Sequence, residues 1–185
     1  MTKANERRLL VRARTLVTCD TDAAQGGVSF DTLGRIDEGA ILVEGDRITA
    51  VGKADVILSA APKGREVEGP LEEIDLGDCT IVPGFVDAHA HPLFAGDREP
   101  DFAARLRGEK APLGMLFTVE RTREALLDPA RFYESIVRPR LQTMLAHGTT
   151  TLETKTGYAL HKPGETALLD LIAGHRNDSG VPRLV

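Results

Sequence analysis

Long apolar runs, paired cysteines and any surplus of positive charge are missing from this 185-residue sequence, and each absence removes a class of function. No uninterrupted apolar stretch approaches the roughly 18 to 20 residues that cross a bilayer. The start, Met1 to Arg8, lacks the apolar core and cleavage site of a secretory signal. The expected compartment is therefore the cytoplasm. Cys19 and Cys79 are the only cysteines, far apart and outside any C-x-x-C pattern, so nothing supports a disulfide framework or a cysteine-held metal. Both are expected to be reduced structural thiols. The 23 Lys and Arg are scattered among 28 Asp and Glu, for a net charge of −5. That balance argues against nucleic acid or an acidic membrane surface as the main partner. There is no internal repeat or low-complexity segment.

What is present is enough apolar residue, 42%, to bury a core, arranged in two successive patterns. Residues 1–84 read as short strands: Leu9 to Val17, then Ala40 to Glu44 and Arg47 to Val51 around Glu44-Gly45-Asp46, a hairpin signal. A further strand is expected before Gly77-Asp78, and Thr80 to Val82 leads into the turn dipeptide Pro83-Gly84. From residue 85 to 185 strands alternate with helices, the sequence form of βαβ units and a parallel sheet. Strands are expected over Phe85–His91, Thr149–Lys155 and Val181–Val185. Helices are expected over Asp101–Arg107, Thr118–Leu127, a longer span N-capped by Asp128 with Pro129 first, and Pro163–His175. Phe132, Ile136, Leu141, Met144 and Leu145 give the longer helix an apolar face, and Pro139 should kink it. In the last helix, Leu168, Leu169, Leu171 and Ile172 are expected to be buried.

His89-Ala90-His91 carries the chemistry. Side chains two apart on a strand share a face, so both imidazoles converge and can reach one metal at about 2.0 to 2.1 Å. The triplet alone equally allows two hydrogen-bonded structural histidines. Its place at the carboxyl end of an apolar strand, expected to be buried, favours the metal, since reactive groups gather at such ends in a parallel barrel. His147 and His175 lie near helix ends and His161 in a loop, and none is expected to bind metal.

The run Pro83-Gly84-Phe85-Val86-Asp87-Ala88-His89-Ala90-His91 is similar to the first-strand signature of the amidohydrolase superfamily. Three later stretches, Phe94 to Arg98, Asp101 to Gly108, and Thr118-Val119 with Thr122-Arg123, then resemble the imidazolonepropionase pattern in order. So does the run from Gly148 to Leu160, and the resemblance covers nearly the whole chain. It implies an α/β fold, a truncated (β/α) TIM-type barrel over 85–185 preceded by a small β-sandwich-like domain over 1–84. His89 and His91 become ligands of one divalent ion, zinc or iron, while Arg98 grips the substrate's propionate and Tyr158 contacts the substrate. Glu153 and Lys155 are read as supporting or structural.

The implied activity is hydrolysis of a cyclic amide, imidazolone-5-propionate, to formiminoglutamate in histidine degradation, by a homodimer when full length. A barrel of this type needs about eight strand and helix pairs and only three strands are counted. The catalytic residues are therefore expected beyond Val185, and the chain is expected to be inactive and poorly soluble by itself. One stretch departs from the family: Gly108 to Leu116 lacks the tyrosine and triple glycine seen there. The competing readings are a ring deaminase or different cyclic amidase, a non-catalytic association domain, and a self-contained three-strand domain.

Overall fold

A computed structural model describes residues 8–20, 33–60 and 71–185; residues 1–7, on which the reading of the start rests, lie outside that set. The chain divides into two compact units, Met1–Pro83 and Gly84–Val185. Among the described residues no helix is long and apolar enough to cross a membrane.

The first unit is built on β1 (Arg8–Val17), β2 (Arg35–Glu44), β3 (Arg47–Lys53), β4 (Leu71–Asp75) and β5 (Thr80–Ile81), with one helix, α1 (Ala54–Ala60). Its sheet runs β3-β2-β1-β4, with β5 also on β1. β2 runs antiparallel to both β1 and β3, whereas β4 and β5 lie parallel to β1. Gly45 (φ +63°) lets the chain reverse between β2 and β3, because a left-handed residue there is strained for anything bearing a Cβ. Arg12 ties β4 to β1 through Glu73 at 2.7 Å and Asp75 at 2.9 Å. Leu10 and Ala40 are buried with Ile57 of α1, against Leu42, Ala50 and Ala54. Alternation alone did not disclose α1: its seven residues are too few to show a helical period. Cys19 and Cys79 are free and exposed.

The second unit is mixed α/β. Its elements are β6 (Phe85–Ala90), α2 (Glu99–Leu106), α3 (Met115–Ala125), α4 (Pro129–Phe132), α5 (Arg138–Ala146), β7 (Thr149–Thr154), α6 (Lys162–Gly174) and β8 (Arg183–Leu184). The three strands form a parallel sheet in the order β6-β7-β8. Leu93, Phe132, Tyr133, Val137, Leu141, Leu152, Leu168 and Leu184 are the heart of its core.

Four expectations need correcting. First, β6 is an edge strand whose Phe85 and Val86 are 58% and 68% exposed, because β7 alone pairs with it among the described residues; it ends at Ala90, leaving His91 just beyond. Second, the span from Pro129 to Ala146 is not one kinked α-helix. A π turn over Tyr133–Val137 separates α4 from α5, so the ring of Pro139, which would collide with a carbonyl one α turn back, meets a widened turn instead. Asp128 does cap this span, accepting the Arg131 N–H at 3.1 Å. Third, Leu169 is exposed while Leu168 and Leu171 are buried, since only one face of α6 meets the sheet. Fourth, the third strand is only Arg183–Leu184, and Lys155 lies past the end of β7.

Candidate functional site

Residues after β6 and β7 make one cluster. The Asp87 carboxylate accepts the His89 N–H at 3.1 Å, and the β6–β7 register shifts between Asp87 and Ala90. The ladder is thus broken where the histidines begin. The rings of His89 and His91 lie 5.0 Å apart, edge to face at 76°. His91 meets Tyr158 at 5.6 Å and 86°, and Tyr158 meets Phe94 at 5.3 Å. Phe94 and Tyr158 line, with Gly96, Asp97, Arg98 and Thr118, a cleft of about 230 Å³. The structure therefore brings the predicted residues together in sequence: His89 to His91, His91 to Tyr158, and Tyr158 to the cleft that holds Arg98. A larger cleft, about 510 Å³ and lined by Leu127, Phe132 and Ile136, includes none of them.

The loops that carry Phe94 and Tyr158 are held partly by Thr122 and Arg123, from a motif evident in the sequence, and partly by Arg140 and Glu165, which the sequence did not single out. Arg140 of α5 donates to the carbonyls of Pro92 and Phe94, and its guanidinium carbon sits 3.9 Å from the Phe94 ring centroid. Burial pushes its pKa below the ordinary arginine value, a sign of how much water this contact displaces. Thr122 accepts the Ala95 N–H at 3.0 Å and donates to Thr118 O at 2.7 Å, joining the loop to α3. Around Tyr158, Arg123 donates to Ala159 O at 2.7 Å, and Glu165 of α6 accepts the N–H groups of Ala159 and Leu160 at 2.9 and 2.8 Å. Burial pushes the Glu165 carboxyl up, but hydrogen bonds from Leu160, Thr156, Ala159 and Gly157 outweigh it and hold the pKa below the ordinary value. A carboxylate in the first turn of a helix just after a glycine-bearing loop was the available signal.

Beside the cleft, Asp101 is 3% exposed and its two oxygens accept Leu113 N–H at 2.7 Å and Gly114 N–H at 2.9 Å. The Leu113 bond above all, with Gly114, Arg98 and Arg105 and against the effect of burial, lowers its pKa. This carboxylate closes the loop that lacks the family's tyrosine and triple glycine. His147 and His175 are the C-cap residues of α5 and α6, and His161 is the N-cap of α6.

Among the described residues no group of three or more His, Cys, Asp or Glu could hold a metal ion. Two observations nevertheless suit His89 and His91 to a cation. The Nδ1 of His91 and the Oε2 of Glu153 are buried with no hydrogen-bond partner, and unpaired buried polar atoms are costly unless something meets them. Glu153 Oε2 also lies 3.5 Å from His89 Nδ1. Two imidazoles and a nearby carboxylate are the donor chemistry of a divalent-ion site, supplied here in part.

A family model described as an imidazolonepropionase-like composite domain of bacteria matches residues 39–63. The chain is 38% identical over 152 residues to imidazolonepropionase of Cutibacterium acnes, covering 82% of this chain and 35% of that protein. It is 42% identical over 156 residues to that of Halobacterium salinarum (81% and 35%), and 36% over 172 residues to that of Herpetosiphon aurantiacus (90% and 38%). The chain thus spans a little over a third of the length of these relatives. Guanine deaminase from Bradyrhizobium japonicum superposes with a TM-score of 0.54 at 22% identity, over 92% of this chain and 33% of that one. A triazine hydrolase variant gives 0.53 at 22% identity (91% and 34%), and these two likenesses bear on the fold alone. Over most of its own length, with its motifs in the same order, the chain is thus similar to a little over a third of each of these imidazolonepropionases.

Proposed function

We propose that this chain carries part of the active site of an enzyme that hydrolyses a cyclic amide, with imidazolone-5-propionate as substrate and formiminoglutamate as product. In this reading residues 85–185 are the first part of a TIM-type (β/α) barrel and residues 1–84 the amino-terminal β-rich part of a composite sandwich domain, in a cytoplasmic enzyme that is a homodimer when full length. The observation that carries the reading is the contact chain from His89 through His91 and Tyr158 to the Arg98 cleft.

His89 and His91 would hold one divalent ion, zinc or iron, with further ligands from residues outside these 185. Such an ion supplies Lewis acidity, making water a better nucleophile and the ring carbonyl a better electrophile. The rest of the chemistry belongs to the chain's own side chains. Arg98 binds the propionate through its planar pair of donors, which a carboxylate matches and a lysine could not reproduce. Tyr158 packs between His91 and Phe94, setting the distance from the gripped carboxylate to the histidines, and its phenol is placed to meet the substrate ring. Phe94 keeps that wall of the cleft apolar. Water then adds across the lactam C–N bond, the acyl carbon taking hydroxyl and the nitrogen taking hydrogen.

The test uses the full-length enzyme. His89→Ala and His91→Ala should each lose metal by elemental analysis, whereas Arg98→Met should keep it. Losing one partner of a buried carboxylate pair costs on the order of 2 kcal/mol or more, so Arg98→Met should lower kcat/KM for imidazolone-5-propionate roughly 30-fold or more. Turnover of an analogue without the carboxylate should barely change. Wild-type kcat/KM in Arg98→Met would refute the carboxylate grip and favour a ring deaminase.

A further inference from the structure

We propose that Glu153 is a positioning residue for His89: its carboxylate accepts a hydrogen from His89 Nδ1 and thereby fixes Nε2 as the nitrogen that faces the metal. This rests on the reading of His89 as a ligand.

The placement follows from the sheet. On β7, Leu152 and Thr154 are buried, facing the core, so strand alternation turns Glu153 to the opposite face. The parallel register sets Asp87 against Leu152 and Ala90 against Thr154, which puts His89 across from Glu153. The result is the 3.5 Å approach of Nδ1 to Oε2, too loosely aligned to count as a hydrogen bond yet with Oε2 buried and otherwise unpartnered. A carboxylate oxygen shut off from water needs a donor, and in this cluster His89 Nδ1 is within reach.

The chemistry gives that contact a purpose. A neutral imidazole has one N–H and one lone pair, and the partner of the first nitrogen decides which nitrogen offers the lone pair. An anionic acceptor at Nδ1 leaves Nε2 free and holds the ring plane. His91 is treated differently: its Nδ1 is buried without a partner and its ring meets Tyr158 edge to face at 5.6 Å. An aromatic contact faces one ring and a carboxylate the other. Lys155, which shares a strand face with Glu153 in the sequence pattern, is exposed at the end of β7 and takes no part.

Zinc affinity of the full-length enzyme, measured against a chromophoric chelator, separates an acceptor from a packing group. Glu153→Gln keeps an acceptor of the same size and should weaken zinc binding less than about tenfold, whereas Glu153→Met keeps the size alone and should weaken it about 10- to 100-fold. In the metal-free wild type, long-range ¹H–¹⁵N correlation should place the His89 ring hydrogen on Nδ1. Equal zinc affinity in the Gln and Met variants, or a ring hydrogen on Nε2, would overturn the proposal while leaving the ligand role intact. Zinc binding that is unchanged by His89→Ala would instead remove the ligand reading on which the proposal stands.

Discussion

Replacing Arg140 with methionine should loosen the loop behind the candidate site by an amount that can be worked out from its contacts. Its Nη1 serves two carbonyls, Pro92 O and Phe94 O, and its guanidinium lies over the Phe94 ring. A charge-assisted hydrogen bond contributes roughly 1.5 to 3 kcal/mol net, and a partly desolvated cation–π contact roughly 0.5 to 2. Simple addition overshoots. Pro92 O keeps the Phe94 N–H at 3.2 Å, and burying a guanidinium costs desolvation, the same effect that lowers the Arg140 pKa. Methionine fills the space of the aliphatic stem, so the expected net loss is about 2 to 4 kcal/mol. Urea unfolding of the full chain measures it, with Arg140→Lys, a single ammonium, falling between. The same variant should weaken substrate binding through Phe94 and Tyr158 without releasing metal. A change in stability below about 0.5 kcal/mol would show that the two carbonyls find water as readily as Arg140.

Three other perturbations have signed outcomes. Burial, then the hydrogen bond to Asp178, raises the Tyr133 pKa from 10.0 to about 12. Its contribution, on the order of 2 kcal/mol, is full below pH 10 and lost as pH rises through about 12; Tyr133→Phe should abolish that alkaline loss in thermal melts. Asp178 has a lowered pKa, chiefly from His175 and then Tyr133 and Arg138, working against burial. Its contribution is present above the ordinary aspartate value and lost as pH falls through the depressed one, so Asp178→Asn should flatten acid unfolding followed by circular dichroism. Gly164→Ala adds a good helix former to α6, yet its Cβ would fall 2.6 Å from Ala159 Cβ and 2.3 Å from His161 Cε1. A loss of about 1 to 3 kcal/mol is expected where propensity alone forecasts a gain, and a higher melting temperature would refute the clash.

How much was legible depended on whether the cause was local. The hairpin at Gly45, the cap at Asp128 and the alternation of strands and helices after Gly84 are written in short stretches, and the structure shows each. Burial of β6 was not legible, because Phe85-Val86 has the composition of a covered strand whether or not anything covers it. The π turn was half legible: Pro139 announced trouble in the helix, but not that the turn before it would widen. In the site, the histidine pair stood out by residue type, whereas Arg98 and Tyr158 stood out only through the resemblance of the motifs around them to a known family. Arg140 and Glu165 did not, and Asp101 stood only as part of such a motif, since a charged residue on a helix usually faces water, and only the fold shows which loop amides and carbonyls it meets.

The widened turn at Tyr133–Val137 also bears on how this helix acquired its length. A π turn holds one residue more than the α turn it replaces, so the span from Pro129 to Ala146 behaves as an α-helix into which a single residue has been inserted. The bulge absorbs the extra residue locally, which lets Phe132 before it, Tyr133 and Val137 at its two ends, and Leu141 after it all remain buried. Without that absorption, an insertion would rotate everything downstream by about 100° and turn one half of the apolar face outward. Homologous chains that never gained the residue should therefore align with a one-position gap between Tyr133 and Val137, and their unbroken helix should present the same inward set.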